Sequence, residues 1–218
     1  MGWLMLFLGI ILMAVPVVVL GATGGFDGAS GVSLMMGYGL FNVPKPEGQN
    51  PGAGGGIKTE IYICLEDDVD TFPTRGSDLI TISSDILMKA GKYWHLLYGT
   101  DKTIEPSEKK LPGPNEDSGG WELTLKLFHP GIYAKIQEFK AKHAFERFYI
   151  IIRNCQTNTM FLIGEPCNPV SMNAVETKWG KTMAEGKGND FTFISQQSLP
   201  MAIYSGTVTL DESSDSGS

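Results

Sequence analysis

The sequence predicts a mainly β domain with one packed α-helix, built as a β-sandwich or barrel, behind a hydrophobic segment and a Gly/Pro arm. Three observations predict it. Apolar and polar residues alternate with period two over residues 57–65 and again over 121–127, which is strand spacing. A single stretch, residues 130–143, carries the spacing of an amphipathic helix. Charge is split along the chain: residues 1–56 hold only Asp27, Lys45 and Glu47, so six of the seven net negative charges fall on the remainder. The 218 residues suit one ordinary domain, residues 57–210, with appendages at 1–35, 36–56 and 211–218.

Residues 3–20 are uncharged and almost entirely apolar, nearly long enough to cross a bilayer core as a helix. They read as a membrane anchor, a secretory signal or an over-extended start, because no Lys or Arg precedes the run. On the third reading, translation begins at Met35 or Met36. Residues 36–56 then form a flexible arm, since the Pro and Gly of 44–56 sustain neither a helix nor a sheet ladder. The Gly-rich run is not a phosphate loop, which needs a strand before it and a helix after it.

Within the domain, Ile57, Thr59, Ile61, Ile63 and Leu65 alternate with Lys58, Glu60, Tyr62 and Cys64, giving a first strand with one dominant apolar face. Leu79 to Ile82 reads as a short second strand, and residues 86–98 are ambiguous. Residues 101–120 are polar and rich in Pro, Gly, Lys and Glu. They read as a long loop, either a floppy insertion or an assembly contact. Trp121, Leu123, Leu125 and Leu127 mark the clearest strand. Pro130 is placed at the first helical turn, and Ile132, Ile136, Phe139 and His143 form one helical face. Lys135, Glu138, Lys140 and Lys142 fall mostly on the other side, a solvated surface. Residues 148–152 and 160–163 are apolar runs around the polar stretch 154–159, which is a hairpin. Strands follow at 190–195 and 202–210, the latter interrupted by Gly206. The region 168–180 has no clear pattern, and the small acidic tail 211–218 is read as disordered.

No recognisable catalytic or metal-binding motif emerges, and the chain is read as non-enzymatic, with no cofactor. His95, His129 and His143 lack metal-ligand spacing with one another or with cysteine, and His143 on the apolar helix face reads as a core residue. Gly180-Lys181-Thr182 imitates the end of a P-loop, but Val175 stands where that motif needs Gly, and Trp179 reads as a packing residue. Glu66, Asp67, Asp68 and Asp70 lack a calcium-loop pattern and read as a solvated strand end. Cys64 reads as a buried thiol. Cys155 and Cys167 flank the hairpin, and the odd cysteine count favours three reduced thiols over a disulfide. Acidity argues against a grip on nucleic acid, which wants clustered Lys and Arg.

From about residue 37 to 210 the order of elements resembles a tail tube protein of tailed bacteriophages and prophages. The resemblance rests on Gly164-Glu165-Pro166 with Asn168-Pro169-Val170, on residues 186–193 (G-K-G-N-D-F-T-F) and on residues 200–206 (P-M-A-I-Y-S-G). It implies a tail-tube type of sandwich or barrel flanked by a helix. It also implies a structural virion protein whose subunits form rings stacked into a tube, with itself and other tail proteins as partners. The tube's acidic inner wall lets DNA pass without sticking. Such a protein resides in the host cytoplasm before assembly and in the virion after it. The hydrophobic start departs from this pattern. It supports the alternative of a membrane-anchored or exported β-rich binding module of bacterial origin, with membrane as a partner if residues 3–20 are a real anchor.

Overall fold

Twelve strands and one α-helix follow one another in the computed structural model, which describes Leu40, Asn42 and residues 56–114, 118–182 and 185–211. These residues all belong to one unit, residues 37–218. The expectations for residues 1–35, for most of 36–56 and for 212–218 lie outside the described residues, among which no helix is long and apolar enough to cross a membrane.

The strands are β1 (Glu60–Leu65), β2 (Val69–Thr71), β3 (Thr81–Ile82), β4 (Leu87–Met88), β5 (His95–Tyr98), β6 (Glu105–Pro112) and β7 (Gly119–Pro130). The helix α1 (Ala134–His143) precedes β8 (Arg147–Arg153), β9 (Met160–Ile163), β10 (Val170–Lys178), β11 (Gly188–Gln197) and β12 (Ala202–Tyr204). Ten strands share one mixed sheet in the order β3-β12-β9-β8-β10-β11-β7-β6, with β1 on β8 and β5 on β1; β2 and β4 pair separately. The β12–β3 pair is parallel and the other named strand pairs are antiparallel.

The sheet curls because one edge of β8 is shared. β9 pairs with Ile150–Arg153, while β10 meets only Arg147 and Phe148 on that strand before running on against β11. Between them Gly164 takes a φ of +108°, and a Cβ there would sit 2.8 Å from the Tyr149 ring. Only glycine tolerates both. Past β5, Gly99 N–H donates to Thr59 O and Thr100 N–H to Phe128 O at the end of β7. The pairings thus run β1, β8, β10, β11, β7 and back to β5, a barrel-like circuit.

Alternation sorts side chains to the inside of this circuit. Ile61, Ile63 and Leu65 meet Ile150, Ile152, Leu123, Leu125, Leu127, Phe191 and Phe193 in the larger core. The helix closes it: Ile136, Phe139 and His143 are fully buried, and Phe139 stands edge-on to Phe191 at 6.0 Å. β1 departs from its expected single apolar face. Tyr62 and Cys64, on its other side, are also buried, against Tyr149, Ile151, Trp94 and Tyr204 in a second cluster. The chain between β2 and β5, together with β12, covers that face, so β1, β8 and β9 are buried on both sides.

Further expectations change, among them the last strand, which spans Ala202–Tyr204 rather than 202–210. Pro130 ends β7 opposite Gly188 rather than opening the helix, because Gly131 turns out of the strand at a φ of +86° and extended Tyr133 is the N-cap. Residues 101–120 are not one loop: β6 pairs with β7 over eight positions, from Glu105↔Lys126 to Pro112↔Gly119. Residues 170–178 form β10. Leu40 and Asn42, within the expected flexible arm, are buried on the domain; the Asn42 side-chain oxygen accepts the Leu96 N–H at 2.8 Å.

Candidate functional site

The three histidines are engaged in the fold at separate places. His129, fully buried, lies with Nδ1 2.8 Å from Tyr98 O and Nε2 2.7 Å from the Tyr133 hydroxyl. That contact ties the end of β7 to the start of α1, and burial pushes the Tyr133 hydroxyl up to about 12. His95 Nδ1 lies 3.1 Å from Asn42 Oδ1. His143 packs between the Phe139 and Phe148 rings. Burial holds all three below the ordinary histidine value, His143 at about 4, where Lys142 adds to the effect.

The acidic group at the end of β1 divides. Asp67 and Asp70 are exposed, as a solvated strand end requires, but Asp68 is buried on a 3-10 turn (Glu66–Asp68) and pairs with Lys92 at 2.7 Å. Among the described residues, no group of three His, Cys, Asp or Glu side chains is arranged to hold a metal ion. Gly180-Lys181-Thr182 lies in the β10–β11 connection rather than before a helix, and the Lys181 N–H donates to Glu185 at 2.6 Å.

Cys64 is buried as expected, Cys155 half-buried and Cys167 exposed, and all three are free thiols. Cys155 and Cys167 sit beyond opposite ends of the β8–β9 pairing. The thiols therefore differ in reactivity. A thiol-specific reagent is expected to label Cys167 within seconds and Cys155 more slowly. Cys64, whose burial pushes its thiol well up, should react only after unfolding. Intact mass before and after denaturation checks this; a single label in denaturant without reductant would contradict it.

Two surface features remain, and sequence reading placed neither. The first is an apolar groove of about 420 Å³ where β6 faces β9 and β12. Ile152, Phe161 and Ile203 line it from β8, β9 and β12, Pro106, Ser107 and Glu108 from β6, and Ile57, Ile80, Pro200 and Met201 from the connecting segments. Ile57, Phe161 and Met201 also touch the larger core, so the groove is that core's open end. A hydrogen bond of 2.7 Å from Met201 N–H to the Glu108 carboxylate spans it. The outer edge of β6 is blunted: Pro106 and Pro112 offer no N–H, and prolines in a paired strand occupy positions whose N–H would point away from the partner.

The second feature is a set of exposed aromatics. Phe145, after α1, is 93 % exposed and Trp179, after β10, is 73 % exposed, where the sequence suggested a packing role for the tryptophan. The strands next to Trp179 are tied to one another and to the start of α1. Lys178 pairs with Asp190 at 2.5 Å, and Gly131 N–H donates to Lys187 O. The buried Asn189 accepts from Lys140 and Thr177 and donates to Gly131 O, all within 2.9 Å. The residues that suggested a tail-tube resemblance serve the framework. Gly164 makes the corner between β9 and β10, the Glu165 carboxylate accepts Ser198 N–H and Oγ–H, and Tyr204 Oη bonds Ile86 N–H and Thr207 O. Comparison with protein-family models, with curated proteins and with solved structures finds no match to this chain.

Proposed function

We propose that the chain is a structural assembly subunit without enzymatic activity. It associates with copies of itself into rings that stack as a tube, the arrangement of tailed-phage tail tubes, with other tail proteins at its ends and the virion as its destination. The observation that carries this reading is the surface pairing of exposed aromatics with an open apolar groove. Large apolar features left in water on an otherwise acidic domain are marks of an interface. The histidines support it because each is engaged in holding elements together. The net charge of −7 suits a channel through which DNA passes without adhering. Blunted β6 suggests that neighbours meet through side chains rather than by extending the sheet.

Sedimentation velocity of the full chain over a range of concentration tests this. Cooperative conversion from monomer to species far larger than a dimer is expected, since repeated weak contacts close together around a ring.

A further inference from the structure

We infer that the Asn42 side chain is a removable wedge in the hydrogen-bond ladder at the outer edge of β5. With Leu40 and Asn42 docked, the C-terminal segment is held open at Asp211; when they leave, that segment closes onto Leu96 in their place. The wedge stands whether or not the chain assembles.

The ladder itself shows the insertion. One edge of β5 pairs with β1. Beyond the other edge, Thr209 to Asp211 runs parallel to the start of β5. Trp94 N–H donates to Thr209 O at 3.0 Å and Asp211 N–H to Trp94 O at 3.4 Å, around the parallel bridge Trp94↔Leu210. Parallel ladders repeat every second residue, so the next bond in this register is Leu96 N–H to Asp211 O. The Asn42 amide takes its place. Its Oδ1 accepts the Leu96 N–H at 2.8 Å, and its Nδ2 donates to Asp211 O at 3.4 Å. One primary amide therefore receives the bond from the strand and hands it on to the carbonyl that the register assigns. Its orientation is fixed. Oδ1 also lies 3.1 Å from His95 Nδ1, which donates to it when the ring proton is on that nitrogen. A reversed amide would set its own N–H groups against the Leu96 N–H and an acceptor against Asp211 O.

Two properties make the wedge removable. A backbone N–H withdrawn from water needs an acceptor, and Asp211 O already faces the right way to supply one, so withdrawal of Asn42 leaves Leu96 bonded. The C-terminal bonds also lengthen toward the wedge, from 3.0 Å at Thr209 to 3.4 Å at Asp211, and closure shortens the second. What keeps the wedge in is Leu40, buried in the larger core. The docked state gains that burial and the released state gains a direct ladder bond. The two chain ends are thus coupled with opposite sign: whatever binds the segment of Leu40 and Asn42 away from the domain tightens the C-terminal segment on β5.

The test is amide hydrogen exchange resolved to single residues, in the full chain at low micromolar concentration. Asn42→Ala removes the wedge. Leu96 should stay within about threefold of the parent's protection, because Asp211 O takes over its N–H, and Asp211 should exchange about threefold or more slowly. Leu40→Ala loosens the same segment through the core rather than the ladder, and should shift Asp211 in the same direction. Asn42→Asp keeps an acceptor for Leu96 but turns a second acceptor toward Asp211 O, so Asp211 should exchange faster while Leu96 stays protected. Circular dichroism and the protection of Trp94, bonded to Thr209, report that fold and register are kept. In a folded Asn42→Ala chain, loss of Leu96 protection by about tenfold or more would mean that the C-terminal segment does not close, which overturns the inference. Asp211 exchange that is unchanged or faster in Asn42→Ala and Leu40→Ala also overturns it, because the two ends then do not exclude one another.

Discussion

Phe191→Ala is expected to destabilise the domain by about 3–5 kcal/mol, the range for removing a buried aromatic ring. Phe191 is fully buried on β11, paired with Leu127 of β7. Its ring stacks on Phe193 at 6.0 Å and 11°, and meets Phe139 of α1 edge-on at 6.0 Å and 76°. The one side chain therefore joins the helix to the two strands that make most of the inner wall. The wall cannot collapse into the space, because β11 is held at ten register positions to β7 and at seven to β10. Against a typical total of about 5–15 kcal/mol, such a loss is a large fraction of the stability. Urea unfolding should show a much lower midpoint with an unchanged slope. Phe145→Ala, at a 93 % exposed site, should move the midpoint by about 0.5 kcal/mol or less. A Phe191 effect as small as that of Phe145 would mean that α1 does not close the core as described.

Lowering the pH from 7 to 4 is expected to destabilise the fold by a comparable amount, well before general carboxylate protonation is complete. The cause is histidine. Unfolded histidine binds a proton near 6.5. His143 in the fold does so only at about 4, because burial, with Lys142 adding to it, disfavours the imidazolium. Between those values the unfolded chain holds more protons, so stability is complete above about pH 6.5 and is lost as the pH falls toward 4. For His143 alone the shift corresponds to about 3 kcal/mol. His95 and His129 are lowered in the same direction, also by burial. Urea midpoints across this window check the sign. His143→Phe, which keeps a ring between Phe139 and Phe148, should flatten the dependence. A parent protein equally stable at pH 5 and 7 would contradict the burial of these side chains as neutral imidazoles.

Legibility in the sequence followed burial on one face. β7 was readable because Leu123, Leu125 and Leu127 enter the core while Lys126 stays exposed. β11 and the Ile136–Phe139–His143 stripe were readable for the same reason, whereas the β8–β9 hairpin, buried on both sides, was readable as two continuous apolar runs around the polar residues 154–159. β6 was not, because an edge strand exposed on most positions has no apolar period to display. β10 is likewise mostly exposed, and only Val170 is fully buried. The double burial of β1 was hidden because Tyr62 and Cys64 look polar in an alternating pattern although both pack in the second cluster. Pro130 misled because the residue that opens a helix also ends a strand when no N–H is needed there. The groove could not be read at all: β6 and β12, which wall it, are about a hundred residues apart in sequence. Trp179 carried the one available signal, an aromatic set among Lys, Gly and Thr in a turn-rich stretch, which is poor surroundings for a packed side chain.

The central claim is that this domain is built to assemble with itself, and electron microscopy of the full chain, concentrated until sedimentation detects its largest species, tests it most directly. The account predicts closed rings of one diameter and short stacks of them, appearing together over a narrow concentration range. A monomer throughout, from micromolar to millimolar concentration, or irregular aggregates without a repeating diameter, would contradict it.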